Sequence, residues 1–220
     1  MILKKIINPL PDTWLNLLER PANERADMDS LVSEVFEEVQ KKGDTAIQKY
    51  TQLFDGTSLK TFKVSEEEMN AATISKELTA AIQLAKKNIE TFHNLQKTAT
   101  ERIETTPGVI CWQEKRAIQK VGLYIPGGTA PLFSTILMLA VPAQLAGCTE
   151  IVLCTPPNKE GKIDPAILYT AKLCGVTKIF KVGGVQAIAA MTLGTASVPA
   201  VYKIFGPGNQ FVTAAKQYAT

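Results

Sequence analysis

The stretch IVLCTPPNKEGKIDPAILYTAKLCGVTKIFKVGGVQAIAAM, Ile151 to Met191, decides the fold class. Ile151 to Thr155 is a short apolar run that stops at Pro156-Pro157, as a buried strand does. A helix from Asp164 to Leu173 follows, with an aspartate at its cap position, Pro165 at its first helical position and Gly175 as its stop. Lys178 to Val182 is the next strand, Gly183-Gly184 the turn, and Val185 to Leu193 the next helix. The same unit recurs on either side. Upstream, Val121 to Ile125 enters Pro126-Gly127-Gly128 and a helix from about Phe133 to Ala146, with a kink or break expected near Pro142. Downstream, Val201 to Phe205 enters Gly206-Pro207-Gly208-Asn209, and a last helix begins near Gln210. Strands alternating with helices imply an α/β fold whose parallel sheet is covered on both faces, a Rossmann-like arrangement.

The residues before this region have a different character. Residues 1–120 hold 35 of the 45 charged residues, so a domain boundary is expected at Lys120, with 1–120 helical and β and 121–220 the Rossmann-like domain. Leu31, Val32, Val35, Phe36 and Val39 recur at helical spacing up to Gly43, and a second helix is expected from Asp44 to Phe54. Ser65 and Glu68 read as a capping box, and Leu78, Ile82, Ala85, Ile89 and Phe92 mark a long amphipathic helix ending near Lys97. Glu101 to Glu104, Val109 to Glu114 and Ala117 to Tyr124 then look like strands of a meander or hairpin.

Composition removes several classes of function. The 220 residues are 45% hydrophobic, enough for a sizeable core. The net charge of +3 comes without basic clusters, so neither nucleic acid nor a membrane surface is an expected partner. Val121 to Thr149 carries no charge, but four glycines and three prolines interrupt it, which argues against a membrane helix. Met1 to Pro11 has only short apolar stretches, too short for a signal-peptide core, and the cytoplasm is the expected location. Cys111, Cys148, Cys154 and Cys174 contain no C-x-x-C pair and read as small buried hydrophobes. His93 is the single histidine, lies beside a helical stripe, and leaves no two-histidine metal site to build. No metal ligand or catalytic residue is assigned in this chain.

What chemistry remains is carried by glycines at strand ends: Gly127-Gly128, Gly183-Gly184 and Gly206-x-Gly208. In an open parallel sheet such turns line the crevice beyond the carboxyl ends of the strands, where ligands bind. Glycine lets backbone approach a ligand, and N–H groups at a helix start suit phosphate. The usual dinucleotide fingerprint is nevertheless incomplete. Gly206-Pro207-Gly208-Asn209-Gln210-Phe211 puts Phe211 where the third glycine belongs, and no acidic residue follows about twenty positions on. Three polar residues sit at these turns. Tyr124 ends a strand where its ring either stacks on a nucleotide or closes the core edge. Gln186 and Asn209 occupy the positive first turns of their helices, Asn209 equally suited to be an ordinary N-cap. Ser134 and Thr135 are expected to cap the helix at Phe133.

The string VGLYIPGG at Val121 to Gly128, continuing through Ala130 to Thr135, resembles the histidinol dehydrogenase family. The resemblance extends through Ala146-Gly147-Cys148, Ala171 to Val176, Gly183 to Ala189 and Phe205 to Asn209. It implies oxidation of L-histidinol to L-histidine in two NAD-dependent steps, the last reactions of histidine biosynthesis, by a zinc-dependent homodimer. It also implies the family's α/β fold, and NAD contacts by Tyr124, Gln186 and Asn209. Family chains continue past the position matching Thr220, and their later part carries the zinc ligands, a Glu-His acid–base pair and most histidinol contacts. A truncated chain, inactive by itself, is therefore expected. Two alternatives stay open: a dehydrogenase of another small polar alcohol, and a non-catalytic nucleotide-binding module.

Overall fold

The computed structural model describes residues 5–19, 25–128 and 130–220. Its centre is a four-stranded sheet of β3 (Lys120–Tyr124), β4 (Glu150–Thr155), β5 (Lys178–Lys181) and β6 (Lys203–Phe205), all parallel, in the spatial order β5-β4-β3-β6. The strands that precede it, β1 (Arg102–Thr106) and β2 (Val109–Trp112), form a separate antiparallel hairpin exposed along its whole length. Thus the segment ending in Tyr124 does not join the meander expected for it. Its apolar residues are buried on both faces, which suits an inner strand of a parallel sheet.

Helices α6 (Phe133–Ala146), α7 (Pro165–Leu173), α8 (Gly184–Leu193) and α9 (Gln210–Tyr218) connect or follow these strands. Successive side chains on a strand face opposite sides, and the core divides accordingly. Leu123, Leu153 and Ile179 face α6 and α7, while Tyr124, Val152, Cys154 and Phe180 face α8 and α9. Pro142 neither breaks nor ends α6. It forgoes a bond to the carbonyl of Met138, and that residue is exposed, so water can take over.

The charged first half completes both layers. The short helix α1 (Trp14–Leu18) is exposed, whereas α2 (Arg25–Lys42) and α3 (Asp44–Tyr50) put Val35, Phe36, Ile47 and Tyr50 into the core of α8 and α9. On the other face, α4 (Glu66–Ala71) and α5 (Lys76–Asn94) add Met69 and Ile82 to the core of α6 and α7. The compositional break therefore coincides with the start of β3, and residues from both sides of it share both cores. Ser65 caps α4 by accepting from the Glu68 N–H at 3.1 Å, but the Glu68 carboxylate reaches Lys181 of β5 at 2.7 Å instead of closing a box. After Tyr50 the chain makes a π-helical turn, Thr51–Asp55, that ends at Gly56 in the left-handed region. That turn brings Asp55 to the edge of the sheet.

Candidate functional site

The order β5-β4-β3-β6 reverses direction at β3: the chain steps outward through β4 and β5, then returns to lay β6 on the other side. At such a switch point the connections leave in opposite directions, and a crevice opens beyond the strand ends. A cleft of about 730 Å³ lies there, lined among others by Asp55, Tyr124, Gly127, Pro156, Gly184 and Asn209. All four strand-end loops reach it. The glycine turns after β3, β5 and β6 were expected to converge; the Pro156-Pro157 loop after β4 joins them.

Two contacts explain why glycines are required. Gly206 has a φ of +139°, and a Cβ there would overlap the carbonyl oxygen of Tyr124, so the β6 turn lies against the end of β3. Gly184 has a φ of +58°, a Cβ there would meet Gln186 Oε1 at 2.9 Å, and in this conformation its N–H donates to Tyr124 Oη at 3.0 Å. The tyrosine side chain thus spans β4 to tie the end of β3 to the start of α8. Tyr124 is 4% exposed. Burial is the main reason its hydroxyl is pushed up to about 12, opposed by the Gly184 N–H and reinforced by the Asp55 charge. At neutral pH it therefore keeps its proton and can donate as well as accept.

The structure brings Tyr124 and Asn209 to the cleft and seats Gln186 beneath it. Asn209 is an exposed N-cap whose Oδ1 accepts from the Val212 N–H at 3.0 Å, leaving the amide nitrogen outward. Gln186 is fully buried: its Nε2 donates to Asp55 Oδ2 at 3.3 Å, and its Oε1 is buried without a hydrogen-bond partner. Asp55 is half-buried, and desolvation raises its carboxyl to about 6. No motif marks Asp55 in the sequence; the π-helical turn that carries it is not a pattern that side-chain spacing announces. Ser134 and Thr135 do not cap α6, whose N-cap position is Leu132 and has no side-chain bond.

Other candidate groups stand apart. His93 Nδ1–H donates to Gln96 Oε1 at 2.8 Å within its own helix end. Cys154 and Cys174 are buried as expected, whereas Cys111 is exposed on the hairpin, where β2 has no covering layer. Among the described residues no three His, Cys, Asp or Glu side chains come together as a metal ion needs, and no helix is long and apolar enough to cross a membrane.

Comparison with known proteins agrees with this geometry. A family model described as histidinol dehydrogenase matches residues 18–220. The histidinol dehydrogenase of Bacteroides thetaiotaomicron is 57% identical over 98% of the chain and 51% of its own length, and that of Shigella sonnei 52% over 91% and 46%. A crystal structure of histidinol dehydrogenase from Elizabethkingia anophelis superposes with a TM-score of 0.90 at 54% identity, covering 97% of this chain and 50% of that one. The chain spans about half the length of the curated relatives it matches. A family match across nearly all of the chain, with the same backbone, places it plainly: this chain belongs to the histidinol dehydrogenase family.

Proposed function

We propose that this chain forms the dinucleotide-holding part of an NAD-dependent histidinol dehydrogenase, which oxidises L-histidinol through its aldehyde to L-histidine. The observation that carries the reading is the convergence of four strand-end loops on one cleft at the switch point, with a buried, unpartnered acceptor, Gln186 Oε1, beneath it. A volume of about 730 Å³ lies within the ordinary range for cofactor pockets. Bound NAD would supply the hydride acceptor for both oxidations.

The chain's own residues bind and orient. Tyr124 closes the cleft floor and offers its hydroxyl proton, and Asn209 offers its amide nitrogen beside the first N–H groups of α9, where the helix dipole favours phosphate. Gln186, held by Asp55, sets the polarity under the cofactor. Tyr124, Gln186 and Asn209 are accordingly the proposed NAD contacts, within a cofactor-binding region that begins near residue 121. The family's zinc does not fit the described residues, and no step is derived through it. The homodimer and the cytoplasmic setting belong to the same reading.

Thermal unfolding with and without NAD tests it. A ligand that binds only the folded state stabilises by RT ln(1 + [L]/Kd), about 2.7 kcal/mol at a hundredfold excess over Kd. The expected result is a raised midpoint with NAD, and no NADH formed on adding histidinol and zinc to this chain alone. An unchanged midpoint at millimolar NAD overturns the cofactor site. Turnover near that of a complete relative overturns the incompetence of the isolated chain.

A further inference from the structure

In NAD-binding Rossmann units an acidic side chain after the second strand commonly holds the 2′-hydroxyl of the adenosine ribose. Here the second strand is β4, and its end reads Thr155-Pro156-Pro157, with no carboxylate. The structure fills that position from elsewhere. The π-helical turn after α3 sets Asp55 over the loops after β4 and β5: a Cβ built on Gly183 would lie against Pro156 on one side and 3.1 Å from Asp55 Oδ1 on the other. Both Asp55 and Pro156 line the cleft.

From this placement we infer that Asp55 is the ribose-reading carboxylate of the cleft, and that it selects an unphosphorylated adenosine ribose, hence NAD over NADP. The inference rests on the dinucleotide reading above and adds to it a residue from the first half of the chain. Three features support it. Asp55 Oδ2 is engaged by Gln186 Nε2, which fixes the carboxyl and leaves Oδ1 for hydroxyl donors. Because the carboxylate stands at the N-terminus of α8, it occupies that helix's anion-binding end. A dinucleotide's phosphates are therefore directed to the N-terminus of α9, near Asn209, and the sugar beside them falls toward Asp55. A 2′-phosphate at the same sugar would face the partly buried Asp55 carboxylate, and like charges repel.

Titration of NAD and NADP into the wild-type chain and Asp55→Asn, followed by calorimetry, tests the assignment. The expected outcome is NAD preferred over NADP by the wild type. The variant should bind NAD about tenfold more weakly, in line with loss of a charge-assisted bond, and discriminate less between the two cofactors. An unchanged NAD-to-NADP ratio in a folded variant overturns it. Should the variant fail to fold, NAD carrying 2′-deoxyadenosine is compared with NAD on the wild type: weaker binding supports the inference, and equal binding overturns it. If NAD binds the wild type normally while these tests fail, only the role of Asp55 falls. If neither cofactor binds the wild type, the dinucleotide reading falls and this inference with it.

Discussion

The backbone N–H of Gly184 donates to the hydroxyl of Tyr124 across 3.0 Å, joining the C-terminus of β3 to the N-terminus of α8 over the intervening β4. One orphan donor of the helix is satisfied by a side chain sixty residues earlier in the chain, so the cleft floor is fixed by a long-range bond. Tyr124→Phe removes the acceptor and leaves that N–H without its partner. The expected cost is about 1 kcal/mol of stability in urea denaturation, together with weaker NAD binding. The wild type should also lose stability as pH rises from the ordinary tyrosine value of 10 toward about 12, because the unfolded chain releases this proton first. Tyr124→Phe should lack that part of the alkaline loss.

Asp55 gives the opposite test, in which binding and stability diverge. Its carboxyl is raised from 3.8 to about 6 by burial, so the folded state holds the proton more tightly than the unfolded one. A raised pKa contributes stability that is complete below about 3.8 and lost as pH climbs through about 6. Asp55→Asn keeps an acceptor for Gln186 and removes the charge. It should therefore be more stable than wild type at pH 7.5, by about 1 kcal/mol once solvent screening of a half-exposed group is allowed for, and should match it near pH 4. Parallel melting curves across that range read the difference. A variant that is stabler yet binds NAD less well marks a residue kept for the ligand.

These two residues also show what was and was not legible in the sequence. Tyr124 stood out because it ends an apolar run and precedes paired glycines, and local patterning of that kind is dictated within a few residues. The alternation of strands and helices after Lys120 was readable for the same reason. Asp55 lies sixty-nine residues before Tyr124, at the end of a helical segment closed by Gly56, and only the packing of α2 and α3 against α8 carries it to the sheet. Gln186 looked like a cleft residue from its place in the first turn of α8, yet the helix face it occupies points inward, a matter of rotation that a glycine turn does not encode. For β3 the sequence left two readings, the first strand of the parallel repeat and the last of a meander, and only its parallel pairing with β4 and β6 decides for the first.

The strand-end glycines differ sharply in what they tolerate. Gly206→Ala would put a methyl group into the carbonyl of Tyr124 at a φ of +139°, and the obstacle is backbone that cannot rotate away. Destabilisation of about 3 kcal/mol or more is expected, with loss of NAD-induced stabilisation. At Gly128 no atom lies within 4 Å of the added Cβ and the φ is not in the left-handed region, so Gly128→Ala should shift stability by less than about 0.5 kcal/mol. Urea midpoints of the two variants, measured side by side, check the contrast; equal effects would show that the β6 turn does not lie against β3.

Thiol chemistry offers a direct probe of the sheet's integrity. Cys154 pairs in register with Tyr124, and complete burial drives its thiol far above the ordinary range. The thiolate is the reactive form, so Cys154 should resist alkylation in the folded chain. Cys111, exposed on the hairpin, should react freely under the same conditions. Mass-spectrometric mapping after brief treatment with iodoacetamide should find label on Cys111 and none on Cys154, and urea above the unfolding midpoint should release both. Because opening of the sheet is required to expose Cys154, its labelling rate reports how often β3 and β4 separate. NAD bound in the cleft across their ends should slow that rate in proportion to the stabilisation it gives, whereas Cys111 labelling should stay constant. Protection of Cys154 that fails to respond to a bound dinucleotide would put the ligand away from the ends of these two strands.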